Sequence, residues 1–328
     1  MCSTDCSGKR ATIYISDEIA VKGRFLDMLV CSSGLRPPAT VGEEALPRLA
    51  AVAGCDAVLI GEGCTLALAA TLVTRVLHAG LRVAGVAGPL GDDASATGGR
   101  RRLPRLAAAD RDERAAAIEL AARALALAGS VGAPLAALQL GSLPLAARPA
   151  ELHRHFRRRE LDDGADGEAT LASALGERRA TVGVSLDACR WSLDALVREA
   201  ERRNLRLALE LAATPWGVPS PREGLDLLSG YDRARLGVIL DPARLSVMRR
   251  LGLAISAERH AALRAAAALV AANEAVGLDA GYLPGLGERD DDLASRAGVP
   301  AETPVVLVGH ADATEAEVVA AADRERRG

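Results

Sequence analysis

The chain has 328 residues, of which 49% are hydrophobic and only 2% are aromatic, and its formal net charge at pH 7 is −3. This length fits one α/β barrel with insertions or two ordinary domains. A charge so close to neutral gives no electrostatic basis for binding nucleic acid or an anionic membrane, so we expect neither as a partner.

The compartment is predicted from two further features of the sequence. No apolar run has the length of a membrane span, and the opening MCSTDCSGKR has no apolar centre like that of a signal peptide. We therefore expect a cytoplasmic protein whose six cysteines are reduced.

Strand-like apolar runs alternate with alanine-rich segments of helical period, a pattern typical of βαβ units around a parallel sheet. In the first half of the chain the predicted strands are DMLVCSS, CDAVLIG, LRVAGVAG and APLAALQLG. In the second half they are LRLALEL, RLGVILD, a weak seventh strand EAVGLDA, and TPVVLVGH. The helix before the seventh strand is predicted to cover SAERHAALRAAAALVAA. Eight strands with intervening helices predict a (β/α)8 TIM barrel.

The barrel is predicted to occupy residues 27–328, after an N-terminal extension over residues 1–26. An insertion at about 142–184 interrupts the alternation and contains the charged run ELHRHFRRRELDDGADGE. This segment is long for a barrel loop, so we expect it to contribute a lid or an arm. The helix that follows, SLDACRWSLDALVREAERRN, contains Trp191, which its helical pattern assigns to the core.

Two of the predicted strands end on a carboxylate, Glu210 in LRLALE and Asp241 in RLGVILD. A buried strand rarely ends on an unpartnered charge, because removing the charge from water is costly unless a counter-ion or a metal lies there. In a barrel, the carboxyl ends of the strands form the mouth where catalytic residues gather. Both residues are therefore candidates for a functional site.

The order and spacing of several segments resemble the xylose-isomerase-like TIM barrels, the sugar phosphate isomerases and epimerases that also include the type-two apurinic endonucleases. The segments are AVAGCDAVLIG, HAGLRVAGV, REAERRNLRLALE, LGVILDPARL and LPGLGERDDD. The resemblance implies a small-molecule enzyme that abstracts a proton beside the carbonyl of a sugar or sugar-like compound. It also implies one divalent metal (Mn, Mg, Zn, Fe or Co), held by carboxylates and histidines on strands five to eight.

The ligand set of that family carries over to this chain only in part. Glu210 matches the strand-five glutamate, Asp241 matches the strand-six aspartate, and His310 is the remaining candidate for a three-residue metal site. Arg244 stands where a histidine often follows that aspartate, and Val276 stands where a strand-seven histidine is common. Because a guanidinium can donate two parallel hydrogen bonds to a carboxylate, an ion pair of Arg244 with Asp241 or Glu210 is an alternative to the metal site.

Three functions are open at this point. The first is an isomerase or epimerase in which Glu210 and Asp241 act as base or metal ligand, with His310 as acid and Arg244 as the partner of the oxyanion. The second is a metal-independent lyase, dehydratase or cyclase of a specialised biosynthetic pathway, which would use the same residues without a cofactor. The third is a barrel without catalysis, used for binding or as a subunit of a complex.

Four further residues are candidates for binding the small-molecule substrate. Gln139 ends the fourth strand, Glu62 follows the second, Asp279 lies in the predicted seventh, and Trp216 lies in the loop after the fifth. A loop tryptophan at a barrel mouth can contact a sugar or a planar ligand, or it can close the seam between helices and barrel. The sequence leaves open whether the protein is a monomer or a homodimer.

Overall fold

The computed structural model of the chain describes residues 28–32, 45–61, 64–91, 104–145, 151–152, 154–155, 165–212, 214–276, 278–309 and 313–327. The expected N-terminal extension lies outside these residues, as do the candidate site residues Glu62 and His310.

The described strands form one closed barrel and two small antiparallel sheets. In chain order they are β1 (Leu29–Ser32), β2 (Ala57–Ile60), β3 (Arg82–Gly88), β4 (Leu135–Leu138), β5 (Gly141–Ser142), β6 (Arg206–Leu209), β7 (Gly217–Val218), β8 (Leu236–Leu240), β9 (Ala267–Ala272), β10 (Glu274–Val276), β11 (Asp279–Tyr282) and β12 (Val305–Leu307). The barrel order is β1, β12, β9, β8, β6, β4, β3, β2, with all neighbours parallel, while β5 pairs with β7 and β10 with β11. The predicted (β/α)8 barrel is therefore confirmed.

Helices cover the outside of the barrel and follow its strands along the chain. They are α1 (Ala45–Val52), α2 (Leu66–His78), α3 (Arg111–Ser130), α4 (Ala165–Arg202), α5 (Pro221–Leu228), α6 (Pro242–Arg250), α7 (Ala257–Ala265), α8 (Asp291–Ala294) and α9 (Glu315–Arg327). Among the described helices, none has the combination of length and apolar composition that a membrane-spanning helix needs.

The core has two layers. Large aliphatic side chains, such as Leu125 and Leu193, are fully buried between the strands and the helices. Inside the barrel, alternate strand residues point toward the axis, and many of them are alanines, including Ala137 and Ala271. Because these small side chains do not fill the axis near the mouth, a chamber remains there.

The prediction of the seventh strand was wrong. The barrel strand is β9, a run of six buried residues that pairs with β8 and β12. Alanine favours helices, which is why this run was predicted as the end of a helix, but burial of every residue is what a strand inside an α/β barrel requires. The segment EAVGLDA instead contributes to the hairpin of β10 and β11, outside the barrel.

Helix α4 is longer than predicted, with 38 residues. It begins at Ala165 and therefore takes up the second part of the expected 142–184 insertion. Its buried stripe includes Cys189, Leu193, Leu196 and Ala200. Trp191 lies off this stripe and is 71% exposed, so its assignment to the core was wrong.

Candidate active site

Four polar side chains form a partial ring along one half of the mouth of the barrel. Gln139, Glu210, Asp241 and Asn273 are each the first residue after their barrel strand, β4, β6, β8 and β9 respectively. Each comes two residues after an inward-facing apolar side chain, and these are Ala137, Ala208, Ile239 and Ala271. Because side chains alternate along a strand, the same periodicity that fills the barrel interior turns the four polar groups toward its axis.

Arg244, in the first turn of α6, joins two carboxylates of this ring. Its Nη1 atom lies 2.5 Å from Oε1 of Glu210, and its Nε lies 3.0 Å from Oδ2 of Asp241. The same Nη1 donates to the backbone oxygen of Leu211 at 3.1 Å. Gln139 donates from Nε2 to Oε1 of Glu210 at 3.2 Å. One guanidinium thus holds carboxylates from two neighbouring barrel strands.

Asp241 also caps helix α6. Its Oδ1 accepts a hydrogen bond from the backbone N–H of Arg244 at 3.0 Å, and Pro242 occupies the first turn of the helix. Aspartate at the N-cap followed by proline is a favoured way to begin a helix. The sequence Asp-Pro-Ala-Arg therefore places Arg244 beside Asp241 through the local geometry of one helical turn.

Asp241 and Glu210 lie in different environments. Burial raises the pKa of the Asp241 carboxyl above its ordinary value, while the Arg244 guanidinium, the Arg244 backbone N–H and the Asn273 side chain oppose that rise. The side chain of Asp241 is only 9% exposed, against 23% for Glu210. Glu210 is therefore the carboxylate of the pair that a ligand in the mouth can reach.

Two adjoining cavities open at this ring. The inner one, of about 170 Å³, lies on the barrel axis and is lined mainly by aliphatic side chains. The outer one, of about 360 Å³, is lined by more polar groups, among them Arg105 and Trp216. Gln139, Glu210 and Arg244 line both cavities, so they stand at the boundary between them.

The wall of the outer cavity is held in place by buried polar contacts. Arg178, which is 8% exposed, donates from Nη1 to the backbone oxygens of Pro215 and Gly217, each at 2.6 Å. Its Nη2 lies 2.5 Å from Oε2 of Glu223. These contacts fix the backbone on both sides of Trp216, the aromatic side chain at the mouth.

The described donor set does not fit a divalent metal. Within the described residues, no group of three or more His, Cys, Asp and Glu side chains could hold a metal ion. Oε1 of Glu210 and Oδ2 of Asp241 are both bonded to Arg244, and the guanidinium would repel a second cation at that distance. His310, the third predicted ligand, lies outside the described residues.

The structure brings most of the described candidates together. Glu210, Asp241, Arg244 and Gln139 are in contact, and Trp216 lines the outer cavity beside them. Asp279 lies on the β10–β11 hairpin, where it is exposed and lines neither of these two cavities.

Sequence reasoning missed Asn273. Its side chain helps to lower the pKa of Asp241, and among the described residues its amide oxygen has no hydrogen-bond partner. The signal was present in the sequence, because Asn273 follows the apolar run ALVAA as Glu210 follows LRLAL. It was overlooked because that run was assigned to a helix.

Comparison with known proteins agrees with the observed fold. A sequence model of the family described as xylose isomerase-like TIM barrel matches residues 47–279. No curated protein matches the chain in sequence.

Solved structures of sugar epimerases have the same architecture. The 3-keto-D-glucoside 4-epimerase of E. coli has a TM-score of 0.61 and 13% identity, covering 92% of this chain and 100% of that one. The D-psicose 3-epimerase of Clostridium cellulolyticum H10, solved with D-tagatose, has a TM-score of 0.59 and 12% identity, covering 92% and 98%. The D-allulose 3-epimerase of Methylomonas sp., solved with D-allulose, has a TM-score of 0.55 and 15% identity, covering 87% and 84%. At these identities the likeness is one of fold.

Proposed function

The chain belongs to the xylose isomerase-like TIM barrel family, and from that premise we propose that it is a small-molecule isomerase or epimerase acting on a sugar or sugar-like carbonyl compound. The observation that carries the proposal is the guanidinium of Arg244 between Glu210 and Asp241, at the mouth of a barrel with a cavity beneath it. A base and a fixed cation within one contact distance are what removal of a proton beside a carbonyl requires.

Glu210 is the proposed base. It is the more exposed of the two carboxylates and lines both cavities. Because Gln139 and Arg244 both bond to Oε1, we assign the proton transfer to Oε2. The carboxylate takes a proton from the carbon next to the carbonyl. The electron pair of the broken C–H bond forms a carbon–carbon double bond, and the π pair of the carbonyl moves onto its oxygen. Return of the proton to the opposite face of the same carbon gives an epimer. Return to the former carbonyl carbon gives an isomer when the hydroxyl on the first carbon passes its proton to the former carbonyl oxygen and itself becomes the new carbonyl.

Arg244 is the proposed partner of the negative oxygen that develops in this step. Its side chain is 30% exposed toward the mouth, and its position is fixed through Asp241, Glu210 and the carbonyl of Leu211. A cation held in advance stabilises developing charge without having to reorganise. In this proposal Asp241 holds Arg244 and begins α6, and His310 stays a predicted acid.

The position of Arg244 also favours a second candidate, a metal-independent lyase or dehydratase. The same first step gives an enolate beside Arg244. If the substrate carries a hydroxyl on the next carbon, that C–O bond breaks as the enolate collapses, and the hydroxyl leaves as water with the proton that Glu210 took in the first step. The two candidates share the base and the cation, and they differ in whether the proton returns or the hydroxyl leaves.

Deuterium exchange tests both candidates. The protein is incubated in D₂O with a panel of ketoses and hydroxyketones, and proton NMR follows the signals next to the carbonyl. We expect these signals to disappear faster than in buffer, and new alkene or dicarbonyl signals would identify the lyase. Glu210→Gln should slow the exchange by about 100-fold or more, as expected for loss of a general base.

A matched control comes from a glutamate remote from the mouth. Glu201 lies at the exposed C-terminal end of α4, so Glu201→Gln makes the same chemical change and should leave the rate unaltered. Exchange should persist after treatment with a chelator, because the proposed step uses side chains of this chain. If deuterium exchange is unchanged in Glu210→Gln, the assignment of Glu210 as the base is contradicted. If the wild-type protein exchanges no compound of the panel, the proposed activity is contradicted.

A further inference from the structure

The inner cavity differs in chemistry from the polar ring above it. Below Gln139, Glu210 and Asp241, the described wall is built mainly from aliphatic side chains of the barrel strands, and Ser32 at the end of β1 adds one buried hydroxyl. The larger aliphatic side chains are Leu59, Ile239, Leu269, Val306 and Val308. They lie on or directly after β2, β12, β9 and β8, and together with Ala87 of β3 and Ala137 of β4 the apolar side chains extend over six of the eight barrel strands.

The backbone of these wall strands is already hydrogen-bonded to neighbouring barrel strands. The strands that contribute the wall pair with neighbours on both sides, for example Leu59 with Ser32 and Gly85, and Val306 with Val30 and Ala271. A ligand hydroxyl that contacts the aliphatic side chains would lose its bonds to water and gain none in return, so each hydroxyl placed away from Ser32 would weaken binding. An aliphatic group would gain from leaving water at the same place.

The size of the inner cavity limits what it can hold. Its volume of about 170 Å³ is close to that of an engineered cavity of about 150 Å³, lined by Leu, Ile and Phe, that binds benzene. The cavity therefore has room for about six carbon atoms. A ligand that fills it must also place its polar end at the ring, because Glu210 and Arg244 line the cavity entrance.

We propose that the substrate is a carbonyl compound with an unhydroxylated aliphatic segment, which enters the inner cavity while its carbonyl end lies at Glu210 and Arg244. This inference rests on the proposed function, which it narrows from sugar-like compounds in general to those that carry an apolar tail. Discrimination comes from the aliphatic wall, since a polyhydroxylated chain of equal length would bury its hydroxyls against Leu59, Ile239 and Val306.

Two open-chain probes that differ only in tail hydroxyls test the inference. Erythrulose carries hydroxyls on both tail carbons, and 1-hydroxybutan-2-one has the same carbon skeleton without them. Binding is measured by NMR titration, separately from deuterium exchange. We expect 1-hydroxybutan-2-one to bind at least tenfold more tightly, which corresponds to about 1.4 kcal/mol. Its longer analogue 1-hydroxyhexan-2-one should bind more tightly still.

A variant that fills the cavity locates the tail. Ala137 lines the inner cavity, so Ala137→Leu should weaken binding of 1-hydroxyhexan-2-one at least tenfold. Ala180→Leu, on the exposed face of α4, makes the same change away from the site and should leave binding unaltered. If thermal unfolding shows that Ala137→Leu does not fold, Val308→Thr replaces a wall methyl by a hydroxyl at nearly constant volume. It should reduce the preference for the apolar probe.

The outcomes separate this inference from the proposed function. The apolar-tail inference is overturned if erythrulose binds as tightly as 1-hydroxybutan-2-one or more tightly. It is also overturned if neither 1-hydroxybutan-2-one nor 1-hydroxyhexan-2-one binds. Exchange of erythrulose in that case would still support the proposed proton transfer. If 1-hydroxybutan-2-one and 1-hydroxyhexan-2-one bind and Ala137→Leu abolishes that binding, the inference is supported. If no deuterium exchange accompanies the binding, the proposed proton transfer is contradicted.

Discussion

Replacing Arg244 by leucine should destabilise the fold, because it leaves two carboxylates at the mouth without their shared cation. Removing one partner of a buried ion pair costs about 3–5 kcal/mol. The side chain of Arg244 is 30% exposed, and water around it already weakens the attraction. We therefore expect Arg244→Leu to lower the free energy of unfolding by about 2–3 kcal/mol at neutral pH, measured by urea denaturation.

The loss of stability should depend on pH with a definite sign. Burial raises the pKa of Asp241 and Arg244 opposes the rise, so the pKa in the folded variant should lie further above the unfolded value of about 3.9. A carboxyl with a raised pKa in the folded state stabilises the fold fully below the unfolded pKa, and this stabilisation disappears as the pH rises through the folded pKa. The variant should therefore be closest to wild type near pH 4, and its deficit should grow toward pH 8.

A double variant provides the control. Asparagine caps helices as well as aspartate does, so Asp241→Asn removes the buried charge while keeping the start of α6. Combined with Arg244→Leu, it should remove most of the pH-dependent part of the loss. If Arg244→Leu costs less than about 1 kcal/mol, or the same amount at pH 4.5 and pH 8, the account of Arg244 as counter-ion to a buried carboxylate is refuted.

Three further substitutions have expected outcomes. Asp241→Ala should be about 1 kcal/mol less stable than Asp241→Asn by urea denaturation, because only alanine removes the helix cap; equal stabilities would contradict the capping role. Arg178→Met should lower the free energy of unfolding by about 3 kcal/mol and shift the fluorescence of Trp216 to the red, whereas an unchanged spectrum would show that Arg178 does not position that loop. Ser220 and Glu223 form a reciprocal capping box at the start of α5, so Ser220→Ala should lower the thermal midpoint by an amount equivalent to about 1 kcal/mol, and no shift would argue against the cap.

The parts of the site that depend on local sequence were predictable. Glu210 and Asp241 each end an apolar run, and strand alternation places such residues at the barrel mouth. Arg244 follows Asp241 by three residues after a proline, a spacing that predicts a helix cap with the arginine beside it.

The parts that depend on tertiary packing were not predictable from the sequence. The sequence predicts an ion pair of Arg244 with Asp241 or with Glu210 as the alternative to a metal site, but that Arg244 binds both carboxylates at once depends on the pairing of β6 with β8 in the closed barrel. The strand β9 was not recognised in its alanine-rich segment, because alanine suits both a helix and the interior of a barrel. For the same reason Asn273, at the end of that strand, was not among the predicted site residues.

Helix α4 is long enough for a change at its C-terminal end to displace residues that hold the mouth of the barrel. Its second half packs against α3 and β6 near the base of the barrel, while Arg178 in its first half holds the loop of Trp216. Arg178 and Ala200 are separated by about 33 Å along the helix axis. A tilt of roughly 2° at the Ala200 end would therefore move Arg178 by about 1 Å, and a displacement of that size in a catalytic group can change a rate by about 100-fold. Substitutions in residues that pack against the C-terminal half of this helix should therefore alter how a ligand fits, although no residue of the site is changed.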